Sequence, residues 1–189
     1  MKRLSSGFTI VELMIAMAIV IIVLHLGASS LKEMTLRNHM TTHVNEFVAV
    51  QRMARQYALY NKTDVIMCAS TDGQKCMAKK YWHEGVLVFV DNNGDRKRDP
   101  DDKVIKFFQA RAKNLQVTWR AYQNKRYLQF TANGWTNYQN GTFRFCFANE
   151  PQQYNRALIV SQIGRARLST DSDGDGFHED RDGALISCA

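Results

Sequence analysis

Late in the chain, Gly164, Arg165 and Arg167 place two guanidinium groups two residues apart beside a glycine. On an extended segment, residues i and i+2 point to the same side, so both arginines could meet backbone phosphates, with Gly164 allowing close approach. An ordinary basic strand end would look the same. Just beyond, Asp171, Asp173, Asp175, Glu179 and Asp182 follow the acidic spacing of a calcium loop. Asp instead of Glu at the twelfth position weakens bidentate closure, and no flanking helix pair is evident. The segment therefore reads as a flexible, acidic, glycine-rich tail, and no metal ligand is assigned. Asp91, Asn93 and Asp95 have a similar look within an expected hairpin turn. Catalysis has little to stand on: there is no Gly-x-Ser-x-Gly, no phosphate loop and no His-Glu-x-x-His, and His25, His39 and His43 lack a carboxylate pattern. Neither an enzyme nor a cofactor is expected.

A different chemistry is written at the front. Lys2 and Arg3 precede Gly7 and Phe8, and an uncharged apolar run from Leu13 to Leu26 follows a single acid, Glu12. A secretory signal would not carry a carboxylate in its apolar region. A plain membrane anchor fits the length but leaves the acid without a partner or a job. The residues Gly7, Phe8, Thr9, Ile10, Val11, Glu12 and Leu13 resemble the processing site of type IV pilins and type II secretion pseudopilins. That resemblance implies a prepilin peptidase that cuts between Gly7 and Phe8 and methylates the new terminus. It also implies that Glu12 pairs with the terminal ammonium of a neighbouring subunit during assembly. Such a buried ion pair sets register more than it adds stability, because desolvation cancels much of the attraction.

The chain has 189 residues and a formal charge of +7, of which +5 remains once Lys2 and Arg3 are removed with the leader. Mean hydropathy is −0.35 despite the apolar front, so the remainder is a polar, soluble body on an anchor. Length suits one such body. Positive charge favours nucleic acid, anionic lipid or acidic partners without choosing among them. The four cysteines, Cys68, Cys76, Cys146 and Cys188, form an even set that the leader would deliver into an oxidising space, and two disulfides are expected. Three pairings are open. The turn containing Asp72 and Gly73 favours Cys68 with Cys76, leaving Cys146 to tie down Cys188.

The elements that must position these groups follow from periodicity. Apolar residues at Leu31, Met34, Leu36, Met40, Val44, Phe47, Ala54 and Ala58 continue the front run at three- and four-residue spacing. One long helix is predicted from about Thr9 to about Tyr60: residues 8–30 in membrane or filament core, residues 31–60 packing one face on the body. From residue 61 the period changes to short strands near 65–68, 85–90, 103–108, 115–119, 127–131, 141–146 and 156–161, separated by turns such as Asn133 and Gly134. The expected fold class is α+β: a long N-terminal helix against a mainly antiparallel β-rich head at 61–189, ending in a tail at about 162–189.

Trp82, Gly85, Phe89, Asp91, Asn93 and Asp95, together with this order of elements, resemble the FimT/GspH branch of the pilin superfamily. The resemblance implies a single-pass inner-membrane protein with its head in the periplasm, later extracellular in a pilus with other major and minor pilin subunits. FimT-like minor pilins linked to natural transformation bear a Gly-Arg-x-Arg motif that contacts DNA, matched here by Gly164, Arg165 and Arg167. Double-stranded DNA is the implied partner. Further basic residues, Arg96, Lys97, Arg120 and Lys125 among them, could widen that surface, although a solvated face is their default. The alternative function is a purely structural, GspH-like pseudopilin of a type II secretion system.

Overall fold

The computed structural model describes residue 7 and residues 9–77, 82–109 and 114–188, without the side chains of 25–29. It divides into two compact units, Met1–His39 and Met40–Ala189. One helix, α1 (Ile10–Asn61), contributes to both. It begins in a capping box: the Thr9 hydroxyl accepts the Glu12 amide at 3.2 Å, and the Glu12 carboxylate accepts the Thr9 amide at 3.4 Å. It ends where Lys62 turns left-handed at φ 53° and the Thr63 amide reaches back to the Ala58 carbonyl at 3.3 Å.

In the first unit the apolar side chains of residues 10–24 are all exposed, from Ile10 to Leu24. Among the described residues no helix is long and apolar enough to cross a membrane. The described run stops at residue 24, short of the roughly 20 apolar residues a crossing takes. Phe8 lies outside the described residues, as does all of the 1–7 leader except Gly7.

In the second unit α1 buries Met40, Val44, Phe47, Gln51, Ala54 and Ala58, a stripe at three- and four-residue spacing. Leu31 and Met34, placed by periodicity on the packing half, are exposed; burial begins at Met40.

The strands are β1 (Val65–Ala69), β2 (Val86–Val90), β3 (Val104–Phe108), β4 (Leu115–Ala121), β5 (Tyr127–Phe130), β6 (Gly141–Phe147), β7 (Arg156–Val160) and β8 (Ala166–Leu168). They form two four-stranded sheets, ordered β3-β2-β1-β5 and β4-β6-β7-β8, and every pairing is antiparallel. The class is α+β, a helix packed on antiparallel sheets. Phe47 packs against both sheets, with ring centroids 5.7 Å from Phe143, 5.1 Å from Phe145 and 6.3 Å from Phe108. Trp82, fully buried, packs 4.8 Å from Phe143, so the residues of the Trp-Gly-Phe stretch build core.

β1 and β2 are buried on both faces. Ile66, Cys68, Leu87 and Phe89 form a second small core with Phe107 and Tyr127 on the face the other core leaves. The loop between β1 and β2 covers it: Gly73 sits so close to the Phe107 ring that a Cβ would come within 2.8 Å of it. A disulfide between Cys68 and Cys76, Cα atoms 5.6 Å apart, closes that loop. A second, between Cys146 and Cys188 with Cα atoms 6.1 Å apart, ties the carboxyl end to β6.

Candidate nucleic-acid interface

Expectation placed Gly164, Arg165 and Arg167 after the last strand; the structure adds β8, which pairs with β7 and contains Arg167. Arg165 precedes β8 in the turn that joins it to β7, where the Ser161 amide donates to the Arg165 carbonyl at 2.8 Å and the Gly164 amide to Ser161 at 2.9 Å. Only one arginine of the pair is therefore in strand geometry, and the two line different clefts.

Gly164 is buried, and the close approach it permits is to the protein's own chain. With φ at +75°, a Cβ there would collide with the Gly134 carbonyl oxygen and come within 2.7 Å of Arg55 Nε. Around it the helix and the two turns are tied together. Gln51 Nε2 donates to the Gly164 carbonyl at 3.1 Å, and Arg55 donates from Nε to Gly134 at 3.0 Å and from Nη2 to Ile163 at 3.3 Å. This glycine sits in the turn from which Arg165 projects.

Arg165 lines a cleft of about 330 Å³ with Gln51, Arg52, Arg55 and Gln56 of α1. Arg167 lines a larger one, about 630 Å³, on the face of the second sheet away from Phe47. Register explains its composition. Arg120 of β4 pairs with Thr142 of β6, Thr142 with Ile159 of β7, and Ile159 with Arg167 of β8, a row across all four strands. Arg144, two residues from Thr142, shares that face, while Phe143 and Phe145 point into the core between them. With strands spaced about 4.8 Å, the Arg120 and Arg167 backbones stand roughly 14 Å apart.

The carboxyl-terminal segment completes this cleft with Asp180, Arg181 and Asp182. Arg144 Nη2 lies 3.4 Å from Asp180 Oδ2, both side chains mostly buried, and its Nη1 donates to the Ser187 carbonyl at 3.0 Å. Burial, with Arg120 nearby, pulls the Arg144 pKa below its ordinary value, and Asp180 opposes the shift. Arg144 thus anchors the tail. The Arg165 and Arg167 side chains are exposed and have no hydrogen-bond or ion-pair partner among the described residues.

Arg144 and Arg181 escaped the sequence reading, and Arg120 stood there only as one basic residue among many. The alternation of Thr142 and Arg144 with Phe143 and Phe145 was the available signal for Arg144; the cross-strand row depends on register, which no local pattern carries. Gly7 is exposed, and Glu12 is engaged with Thr9 within its own chain. Of the aromatic residues near the basic strands, Tyr122, Trp135 and Tyr138 are all exposed.

Comparison with known proteins agrees with this architecture. A family model described as type II transport protein GspH matches residues 43–164, and a prokaryotic N-terminal methylation motif matches residues 2–28. Two crystal structures of the Pseudomonas aeruginosa type IV minor pilin FimU share the fold. One is 24% identical with a TM-score of 0.54, over 72% of this chain and 92% of that one. The other is 22% identical with a TM-score of 0.51, over 70% and 94%. No curated protein matches. With the GspH model spanning more than half of its residues and a methylation motif at its front, the chain belongs to the GspH family of type IV pilin-like proteins.

Proposed function

We propose that the protein is a minor pilin that binds double-stranded DNA during natural transformation, assembled in or at the tip of a pilus. The observation that carries the reading is the pair of exposed, unpartnered guanidinium groups of Arg165 and Arg167, one on the turn and one on the strand of a hairpin whose turn has no room for a Cβ at Gly164. Phosphate contacts position a protein on DNA without reading bases, so binding is largely independent of sequence. Neither arginine fills the core, and both remain available to a backbone running over β8.

Assembly follows from the front of the chain. Prepilin peptidase cuts between Gly7 and Phe8, the head is delivered to the periplasm while residues 8–30 remain in the inner membrane, and the pilus then carries it outside the cell. The exposed apolar side chains of residues 10–24 support this reading, because such a surface calls for lipid or the helices of other pilin subunits. Glu12 exchanges its contact with Thr9 for the terminal ammonium of a neighbour. Mass spectrometry of the mature protein checks the cut: a methylated Phe8 terminus is expected, and a terminus beyond residue 28 overturns it.

The other reading is a structural, GspH-like pseudopilin of a type II secretion system, favoured by the family match alone. Titrating the full chain in detergent with double-stranded DNA at low salt separates the two. Binding that is weakened in an R165Q/R167Q variant of unchanged fold supports the DNA reading. Absent binding, or equal affinity in both proteins, leaves the structural pseudopilin.

A further inference from the structure

The loop at residues 171–179 is tied at its base by a bridge between Thr170 and Glu179, whose amide donates to the Thr170 carbonyl at 3.1 Å. Three exposed aspartates line it. Their carboxylates accept amides of the loop: Asp171 those of Gly174 and Gly176 at 2.8 and 2.9 Å, Asp173 that of Asp175 at 3.2 Å, and Asp175 that of Phe177 at 2.8 Å. Those bonds shape the turn and identify no ligand.

Glu179 is different. It is only 8% exposed. One of its carboxylate oxygens accepts the Ser172 amide at 2.8 Å, while the other, Oε1, is buried with no hydrogen-bond partner among the described residues. One oxygen each from Asp171, Asp173, Asp175 and Glu179 lies within 4.8 Å of the others. Four carboxylates so close repel one another, and a buried anionic oxygen without a donor is costly. A cation among them removes both penalties.

We propose that Asp171, Asp173, Asp175 and Glu179 form a calcium site. All four side-chain ligands are oxygen, which suits a hard cation and gives zinc or copper none of the nitrogen or sulfur they favour. A loop offering four carboxylates fits the many-oxygen, variable coordination of calcium better than the strict octahedron of magnesium, which keeps most of its water. The fourth carboxylate comes from the ninth residue of the loop. Asp182, at the twelfth, is exposed and lines the arginine cleft, so its short side chain has no part in closure. The bound ion fixes Glu179 and, through the next residue, the Asp180 that anchors Arg144.

Residues 91–102 supply the contrast, since Asp91, Asn93, Asp95, Asp99 and Asp102 repeat the same spacing. There the cluster closes on itself: Asn93 Nδ2 donates to Asp99 Oδ2 at 2.9 Å, and the two Asp102 oxygens accept the amides of Asn92 and Asp99 at 3.2 and 2.9 Å. The first position is alike in the two loops, the Gly94 and Arg96 amides occupying both oxygens of Asp91 as the Gly174 and Gly176 amides occupy those of Asp171, so the loops differ at the third, ninth and twelfth positions.

The test does not depend on DNA binding. The full chain in detergent, stripped with chelator, is titrated calorimetrically with calcium and with magnesium, and its melting temperature is followed with and without free calcium. One calcium per chain is expected, with magnesium far weaker and the melting temperature raised by about 5 °C at saturating calcium. Glu179→Gln and Asp173→Asn should each weaken calcium binding about tenfold or more, while Asp95→Asn leaves it unchanged. Asp173 is exposed, so its variant keeps the test valid if Glu179→Gln does not fold. No calcium uptake at millimolar concentration, uptake undiminished in Asp173→Asn, or loss of uptake in Asp95→Asn each overturns the proposal.

Discussion

Arg165 and Arg167 are two residues apart and occupy two different settings. Arg165 leaves a turn pinned by Gln51 and Arg55, beside the polar side chains of the helix. Arg167 stands in a strand, at the end of a row that starts at Arg120 three strands away, beside a tail that brings its own acids. The first setting has no acid in its lining and depends on a glycine; the second is wider, partly neutralised by Asp180 and Asp182, and depends on a disulfide-tethered tail. Spacing in sequence therefore does not make the pair one unit. What the two share is the hairpin of β7 and β8.

Removing the tether should have the largest effect and should strike one setting only. Cys146→Ser with Cys188→Ser opens a bond across a sequence separation of 42, and unfolding should cost about 3–4 kcal/mol less by loop entropy. Chemical denaturation measures it. The Arg167 side should lose DNA affinity and the Arg165 side should not. A loss below about 1 kcal/mol would show that the tail is held by Arg144 and packing instead.

Gly164→Ala comes next. A left-handed φ and a collision with the Gly134 carbonyl should cost about 2 kcal/mol or more, a fall in melting temperature of roughly 4–8 °C for a chain of this size. Because both arginines hang from that hairpin, DNA affinity should drop with both side chains intact. Normal melting with lost binding would mean instead that Gly164 itself faces the ligand.

Arg120→Gln is a smaller, sharper probe. If the row across the sheet follows a phosphate backbone, the log–log salt slope of DNA binding should fall by about 0.9 with little change in stability. Lys97→Gln, in the loop at residues 91–102, should change neither quantity, and a slope change there would extend the surface well beyond the two settings.

Much of the fold was legible because it is local. The helix, expected at about 9–60, runs Ile10–Asn61, since a capping box and an apolar stripe are written in neighbouring residues. Seven strands lie close to their expected positions because alternation and turn residues mark them. β8 was missed: with Ala166, Arg167 and Leu168 it is three residues long, its pattern is polar, and it exists only because β7 offers an edge. Arg165 and Arg167 stand out in the sequence by type, spacing and family resemblance, but their separation into two clefts comes from a turn whose shape depends on Gly134 and Arg55, remote in sequence. The acidic loop was counted to its twelfth position, whereas the buried carboxylate sits at the ninth; burial of Glu179 arises from tertiary packing that spacing does not encode.

The direct test of two independent settings gripping one DNA is the salt dependence of binding by the full chain, measured across a series of salt concentrations for wild type, R165Q, R167Q and the double variant. Each single change should lower the log–log slope by about 0.9, and the double change by about 1.8, because each lost phosphate contact retains its own counterions. Slopes identical in all four proteins would contradict the account.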